Sequence, residues 1–262
     1  MCKLPDKIQP KNRVQLVQLI DYAFKHKQYD LNFIDTSKIT DMSGLFTCIA
    51  HDFDVSGWDV SNAKNIGYIF YKCKNFKGKG IENWNVSKVI DMSCAFTGCK
   101  NFNRDLSNWD VSNVTDMNHM FDSCSIFIGK GLENWDVSKV KDTHHMFNGC
   151  SKFDCDLSGW NVSNMTNMSG MFNGCWNWTG KGIENWNVSN VKDMSYMFQF
   201  CNDLNCDLSN WNVSDVTDMR DMFNECKHLD CDLSSWNVSN VLDMHDMFYG
   251  CNKLTIPSWY KE

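Results

Sequence analysis

Residue types that carry chemistry are plentiful in this chain: 14 cysteines, 7 histidines and 32 acidic residues among 262. Thiolate and imidazole bind zinc, oxygen ligands hold calcium, and paired acids and bases move protons. Most of these residues, however, recur at fixed intervals, which points to architecture before catalysis. Cys73, Cys99, Cys124, Cys150, Cys175, Cys201, Cys226 and Cys251 occupy one position of an internal repeat. With no secretory signal they read as buried free thiols in a reducing compartment. His119 and His145 share another position in adjacent copies, Cys94 precedes them by one copy, and His144 is next in sequence. Stacked imidazoles and a thiol are zinc candidates, but the same position holds Tyr68, Gly170, Tyr196, Asp221 and Asp246 elsewhere, and zinc needs tetrahedral closure. Neither a metal nor any other cofactor is expected.

Three further sets are weighed in the same way. Asp91, Asp116, Asp142, Asp193, Asp218 and Asp243 could share calcium between copies, yet helix N-capping accounts for them without an ion. Cys155, Cys206 and Cys231 share one position, and the last two fall in adjacent copies, where a disulfide is possible if their Cα atoms lie within about 7 Å. The column from Asp59 and Asn85 to Asn237, beside Ser61 to Ser239, serves either as a polar ladder that keeps copies in register or as a carbohydrate- or ion-binding face. No nucleophile-base pair stands out, and the Gly-Lys-Gly stretches lack the Ser or Thr and the helix of a phosphate loop. An enzyme is not expected.

What must position these residues is the repeat itself. Trp58, Trp84, Trp109, Trp135, Trp160, Trp186, Trp211 and Trp236 are spaced 26, 25, 26, 25, 26, 25 and 25 residues apart. A period of this size means that each copy is one coil of a stack. In Trp84-Asn-Val-Ser87 apolar and polar residues alternate, which predicts a short strand with Trp84 and Val86 inward. Met92, Ala95, Phe96 and Cys99 then fall at i, i+3, i+4 and i+7, which predicts about two turns of helix. Gly78-Lys-Gly80 returns at Gly129 and Gly180, making the duplicated unit 51 residues with a glycine-tolerated bulge in alternate copies. The reading is an α/β repeat solenoid. Residues 1–33 form an N-terminal capping helix and linker, and residues 34–262 form nine coils of 24–27 residues. The capping helix is placed at about Lys11 to Lys27, with Val14, Val17, Ile20 and Phe24 as its buried face.

Net charge is −7, with no basic run, so the field that attracts nucleic acid is missing. No stretch approaches a membrane span, and the N-terminus lacks the apolar run of a secretory signal. A monomer, cytoplasmic as written, is expected.

From Phe102 to Cys124 the chain reads F-x-x-D-L-S-x-W-[DN]-V-S-N-V-x-D-M-x-x-M-F-x-x-C, and from Asp30 to Phe46 it reads DLNFIDTSKITDMSGLF. In these residues it resembles the BspA-like leucine-rich-repeat surface proteins of bacteria, over about Asp30 to Trp259. The resemblance implies leucine-rich-repeat-like coils, display at the cell surface and, for some members, adhesion; it carries over no catalytic residue.

The function expected is that of a non-catalytic scaffold for a protein partner. Trp176 stands where other copies have Lys74, Lys100 or Ser125; Phe200 stands where they have Lys72, Gly98 or Gly149; Tyr196 lies four residues before Phe200. Together these three are the expected partner-binding patch, because interface cores are enriched in aromatic residues.

Overall fold

A computed structural model describes residues 7–261; the N-terminal residues 1–6, on which the reading of a missing signal rests, lie outside it. Successive copies are joined by parallel bridges, and one helix precedes them. Eight parallel bridges run Asp41 to Asn65, Asp91, Asp116, Asp142, Asn167, Asp193, Asp218 and Asp243, each joining one coil to the next.

The contents of each coil overturn the expected strand-plus-helix unit. Among the described residues there is one α-helix, α1 (Arg13–Lys25), one short 3-10 turn (Ile81–Asn83) and no strand longer than an isolated bridge. The chain is therefore not an α/β repeat solenoid. The reason lies in two backbone positions. Cys94 and Gly98 have φ of 53° and 74°, and the equivalent residues are left-handed in every coil, including His119 and Ser123, His145 and Gly149, and Tyr196 and Phe200. Left-handed residues cannot sit inside a right-handed helix. Instead, the N–H groups of Met92, Cys94, Phe96 and Gly98 donate to the carbonyls of Asp116, Asn118, Met120 and Asp122 in the next coil. Those of Ala95, Thr97 and Cys99 close turns onto the residue three earlier. In the first and third of these turns the positive φ falls on the third residue, the mark of a type II turn.

Turns of this kind bury the same side chains a helix would. Met92, Ala95, Phe96 and Cys99 are all fully buried, and so are Trp84 and Val86 to within 3%. The segment expected as a strand is also a turn, closed by Val89 N–H onto Val86 O at 2.9 Å. Because a positive φ costs a non-glycine residue on the order of 1 kcal/mol, Ser123→Gly is expected to raise stability by about 1 kcal/mol. The site is exposed, φ is 60°, and Gly98 and Gly149 flank it in the column. Urea midpoints of the two proteins check this; a fall of similar size would mean the left-handed turn is wrong.

The coils are joined by three columns of side chains. Each Trp indole of the repeat column donates from Nε1 to a carbonyl of the preceding coil: Trp109 to Ile81 at 2.9 Å, Trp135 to Leu106 at 3.2 Å, Trp160 to Leu132 at 2.8 Å. Trp259 does the same to Leu233 at 2.9 Å, a ninth member that the spacing had not assigned to the column. Each repeat cysteine donates its thiol to a phenylalanine carbonyl one coil back, as Cys124 does to Phe96 and Cys150 to Phe121, both at 3.0 Å. Between them runs a ladder of Phe rings: Phe121 and Phe147 have centroids 5.8 Å apart and planes 3° from parallel, and Phe172 and Phe198 repeat that geometry.

Helix α1 begins where Asn12 accepts from Gln15 N–H at 3.0 Å, the cap expected of an Asn before the first turn. Its buried face is Leu16, Ile20 and Ala23, whereas Val14 is 67% exposed, so the expected face was turned by part of a turn. Phe24 reaches the first coil, with its ring 6.2 Å from Phe46 and 5.7 Å from Phe53. Among the described residues no helix is long and apolar enough to cross a membrane.

Candidate functional site

The polar columns come first, because their acceptors decide whether a ligand has anything to bind. Asp91 Oδ1 accepts from Ser93 N–H at 2.9 Å, Asp142 Oδ1 from His144 N–H at 3.0 Å, and Asp193 Oδ1 from Ser195 N–H at 2.9 Å. These are Asx turns, the local side-chain-to-backbone bond that Asp and Asn favour. The expectation that the Asp column satisfies free N–H groups holds; the helix it was to cap does not exist. The Asn/Asp and Ser face behaves alike: Asn85 accepts from Ser87 N–H at 3.1 Å, Asp110 from Ser112 and Asp136 from Ser138. Its bonds lie within a coil, so it is not the ladder between coils. That work falls to the next column, where Asn113 donates to Ser87 O at 2.9 Å, Lys139 to Asn113 Oδ1 at 2.7 Å and Asn164 to Ser138 O at 2.6 Å. One carboxylate or amide oxygen per coil is thus already engaged on each face, which weakens the case for a sugar or calcium site there.

Next come the zinc candidates. The structure brings His119, His144 and His145 together: the His119 ring stacks on His145 at 4.9 Å and 12° and meets His144 edge-on at 4.6 Å. Near-parallel rings direct their nitrogen lone pairs side by side and not toward one centre. Nδ1 of His119 is bonded to Asp122 at 3.0 Å and Nδ1 of His144 to Asp142 at 2.7 Å. The Cys94 thiol is directed at Asn118 Oδ1, 3.9 Å away. Among the described residues no group of three His, Cys, Asp or Glu side chains is placed to hold a metal. The hydrogen bond that Asp142 accepts from His144 raises the affinity of His144 for a proton, while burial, and then the charge of His119, lowers that of His145.

The buried thiols are correspondingly inert. Burial pushes Cys73, Cys155 and Cys251 up to about 12, far from the range in which a cysteine acts as a nucleophile. Cys206 and Cys231 line one surface cleft with Asp207 and Asp230, and both are free.

Trp176 is 54% exposed and Phe200 is 44% exposed. Trp176 lies beside the bare backbone of Gly174, its Nε1 3.7 Å from where a Cβ would stand. Tyr196 is half-buried, with the Arg220 guanidinium 5.6 Å from its ring centre, so a cation already covers it. Tyr196 and Phe200 are both left-handed turn residues and not neighbours on a helix. Two apolar departures were missed by the sequence reading: Ile126 and Ile128, exposed by 43% and 41%. The signal was present, since the equivalent residues in the two sister Gly-Lys-Gly coils are Asn75 and Lys77, and Asn177 and Thr179.

Comparison with known proteins names no activity. No curated protein matches the chain. A family model described as "Mycoplasma protein of unknown function, DUF285" matches three times, over residues 12–127, 64–181 and 166–260. The description mentions neither BspA-like proteins nor leucine-rich repeats. The overlapping matches run from α1 through the last coil, as expected of a unit that recurs along the whole stack. The chain is therefore a repeat protein that belongs to the family described as "Mycoplasma protein of unknown function, DUF285".

Proposed function

We propose that the chain is a non-catalytic scaffold that binds a protein partner, in the manner of the adhesin-like surface proteins its repeat resembles. The observation that carries this reading is the contrast between columns and departures. Residues that recur are consumed by the fold itself: the Trp, Cys and Phe contacts join coil to coil, and the Asx turns shape each coil. Trp176 and Phe200 do nothing of the kind and present large apolar area to solvent, the composition of an interface centre. Stacked repeats offer the extended surface that such binding uses.

Capture experiments test it. Wild type and the Trp176→Ala, Tyr196→Ala, Phe200→Ala triple variant are presented in parallel to extracellular-matrix proteins and to lysate of the producing cell. A matrix protein held by wild type and lost by the variant, with the melting temperature within a few degrees of wild type, supports adhesion; a lysate protein lost in the same way supports an intracellular scaffold. Equal capture by both proteins removes these residues from the interface.

A further inference from the structure

The return side of the stack carries an amide succession between coils. Asn75 donates to Ala50 O at 2.7 Å, Asn101 to Asn75 Oδ1 at 3.3 Å, and Asn177 to Ser151 O at 3.3 Å. Between them the same column holds Ile126 and Lys152, and neither side chain makes a hydrogen bond or ion pair with another described residue. Two residues on, Ile128 replaces the Lys77 and Thr179 of the sister coils. The fold does not require these isoleucines, because two copies of the same unit are built with polar residues in their place. A recess of about 590 Å³ opens at this point, and Ile126, Ile128, Glu133, Lys152, Asp154 and Cys155 are among the residues that line it. That volume lies in the range of ordinary ligand sites.

Charge around the recess is uneven. Lys130 is held by Asp105 at 2.9 Å, and Asp156 is held by Lys181 at 3.2 Å. Glu133 bonds the N–H of Gly131 at 2.9 Å and lies 3.8 Å from the Cys155 thiol, but among the described residues neither it nor Asp154 forms an ion pair. Against these two carboxylates stand the Lys152 ammonium and, acting on Glu133 through space, a Lys130 already bound by Asp105, so with Asp156 and Lys181 paired the rim keeps an acidic excess. An apolar floor with an acidic excess at its rim complements an apolar side chain flanked by positive charge.

We infer that the Ile126/Ile128 recess is a docking site for a short extended peptide of a partner protein that carries an aliphatic or aromatic residue next to Arg or Lys. The inference rests on the reading of the chain as an interaction scaffold, but it uses none of Trp176, Tyr196 and Phe200. Two fluorescein-labelled synthetic peptide pools serve as probes in an anisotropy titration: one with central Leu, Ile, Phe or Trp between arginines, the other with the same centres between glutamates. The proteins are wild type, the Ile126→Asn/Ile128→Thr variant, which carries what Asn177 and Thr179 show the fold accepts, and the triple alanine variant of the aromatic patch. Members of the arginine pool should bind wild type and the triple alanine variant alike, and should bind the isoleucine variant roughly tenfold or more weakly. The glutamate pool should bind all three poorly. Absence of binding to wild type, equal binding of both pools, or undiminished binding to the isoleucine variant would each overturn the inference. Loss of binding only in the triple alanine variant would also overturn it, moving the peptide to the aromatic patch.

Discussion

Trp135→Ala is expected to destabilise the protein by about 3–5 kcal/mol, the range for removing a large buried aromatic side chain. Trp135 is 3% exposed, and its ring stacks on Trp109 at 6.4 Å with planes 1° from parallel. Its indole also holds the Leu106 carbonyl of the preceding coil at 3.2 Å. Truncation opens a cavity and removes the indole bond, worth about 0.5–1.5 kcal/mol within the total, while the Leu106 carbonyl keeps its bond from Trp109 N–H at 3.0 Å. Trp135→Phe keeps most of the ring and loses only the bond, so it should cost about a third as much. Urea denaturation followed by circular dichroism checks both. Equal losses for the two variants would mean the inter-coil bond contributes nothing, and a loss below about 1 kcal/mol for alanine would mean the column does not bind the coils.

The second large effect concerns the bulge of the longer coils. Gly131 has φ of 92°, and a Cβ there would lie 2.2 Å from Ser107 N and 2.7 Å from the Leu106 backbone. Those are main-chain atoms of the neighbouring coil and cannot swing away. Gly131→Ala is expected to cost about 3 kcal/mol or more, the sum of left-handed strain and overpacking. Gly44→Ala separates the two contributions, because φ is 61° but the nearest atom is Thr47 Oγ1 at 3.6 Å. Only the backbone strain applies there, about 1–2 kcal/mol. Thermal unfolding of both variants measures the difference; equal losses would contradict the close approach of coils at the bulge.

The inward positions were legible in the sequence, since Trp84, Val86, Met92, Ala95, Phe96 and Cys99 all point to the core as their spacing foretold. The secondary structure was not. Consecutive turns can place buried residues at i, i+3, i+4 and i+7 as a helix does, so the hydrophobic period cannot separate the two. What separates them is the pair of columns filled by Gly44, Gly98, Gly149, Gly170, Gly174 and Gly250 alongside Asp221, Asp246 and the histidines, a mixture tolerant of positive φ. Read as a freely varying solvent face, it hid the conformation. For α1 the location was legible and the face was not, because Leu16 and Ala23, which are buried, compete with Val14 and Val17 for the same period. At the candidate site Trp176 and Phe200 stood out as large residues in small or polar columns. Ile126 and Ile128 did not, because an isoleucine in a repeat is easily taken for core until its sister copies are set beside it.

On the proposed function, recurring columns hold the molecule together and departures from the repeat recognise a partner. The most direct test returns the departures to repeat residues: Trp176→Lys, Phe200→Gly, Ile126→Asn and Ile128→Thr in one protein, whose capture of matrix and lysate proteins is compared with that of wild type. The expected result is loss of the partners that wild type holds, with a melting temperature equal to wild type or higher, since glycine relieves the left-handed strain at position 200. Undiminished capture by this variant would contradict the division and place recognition on the repeating columns themselves.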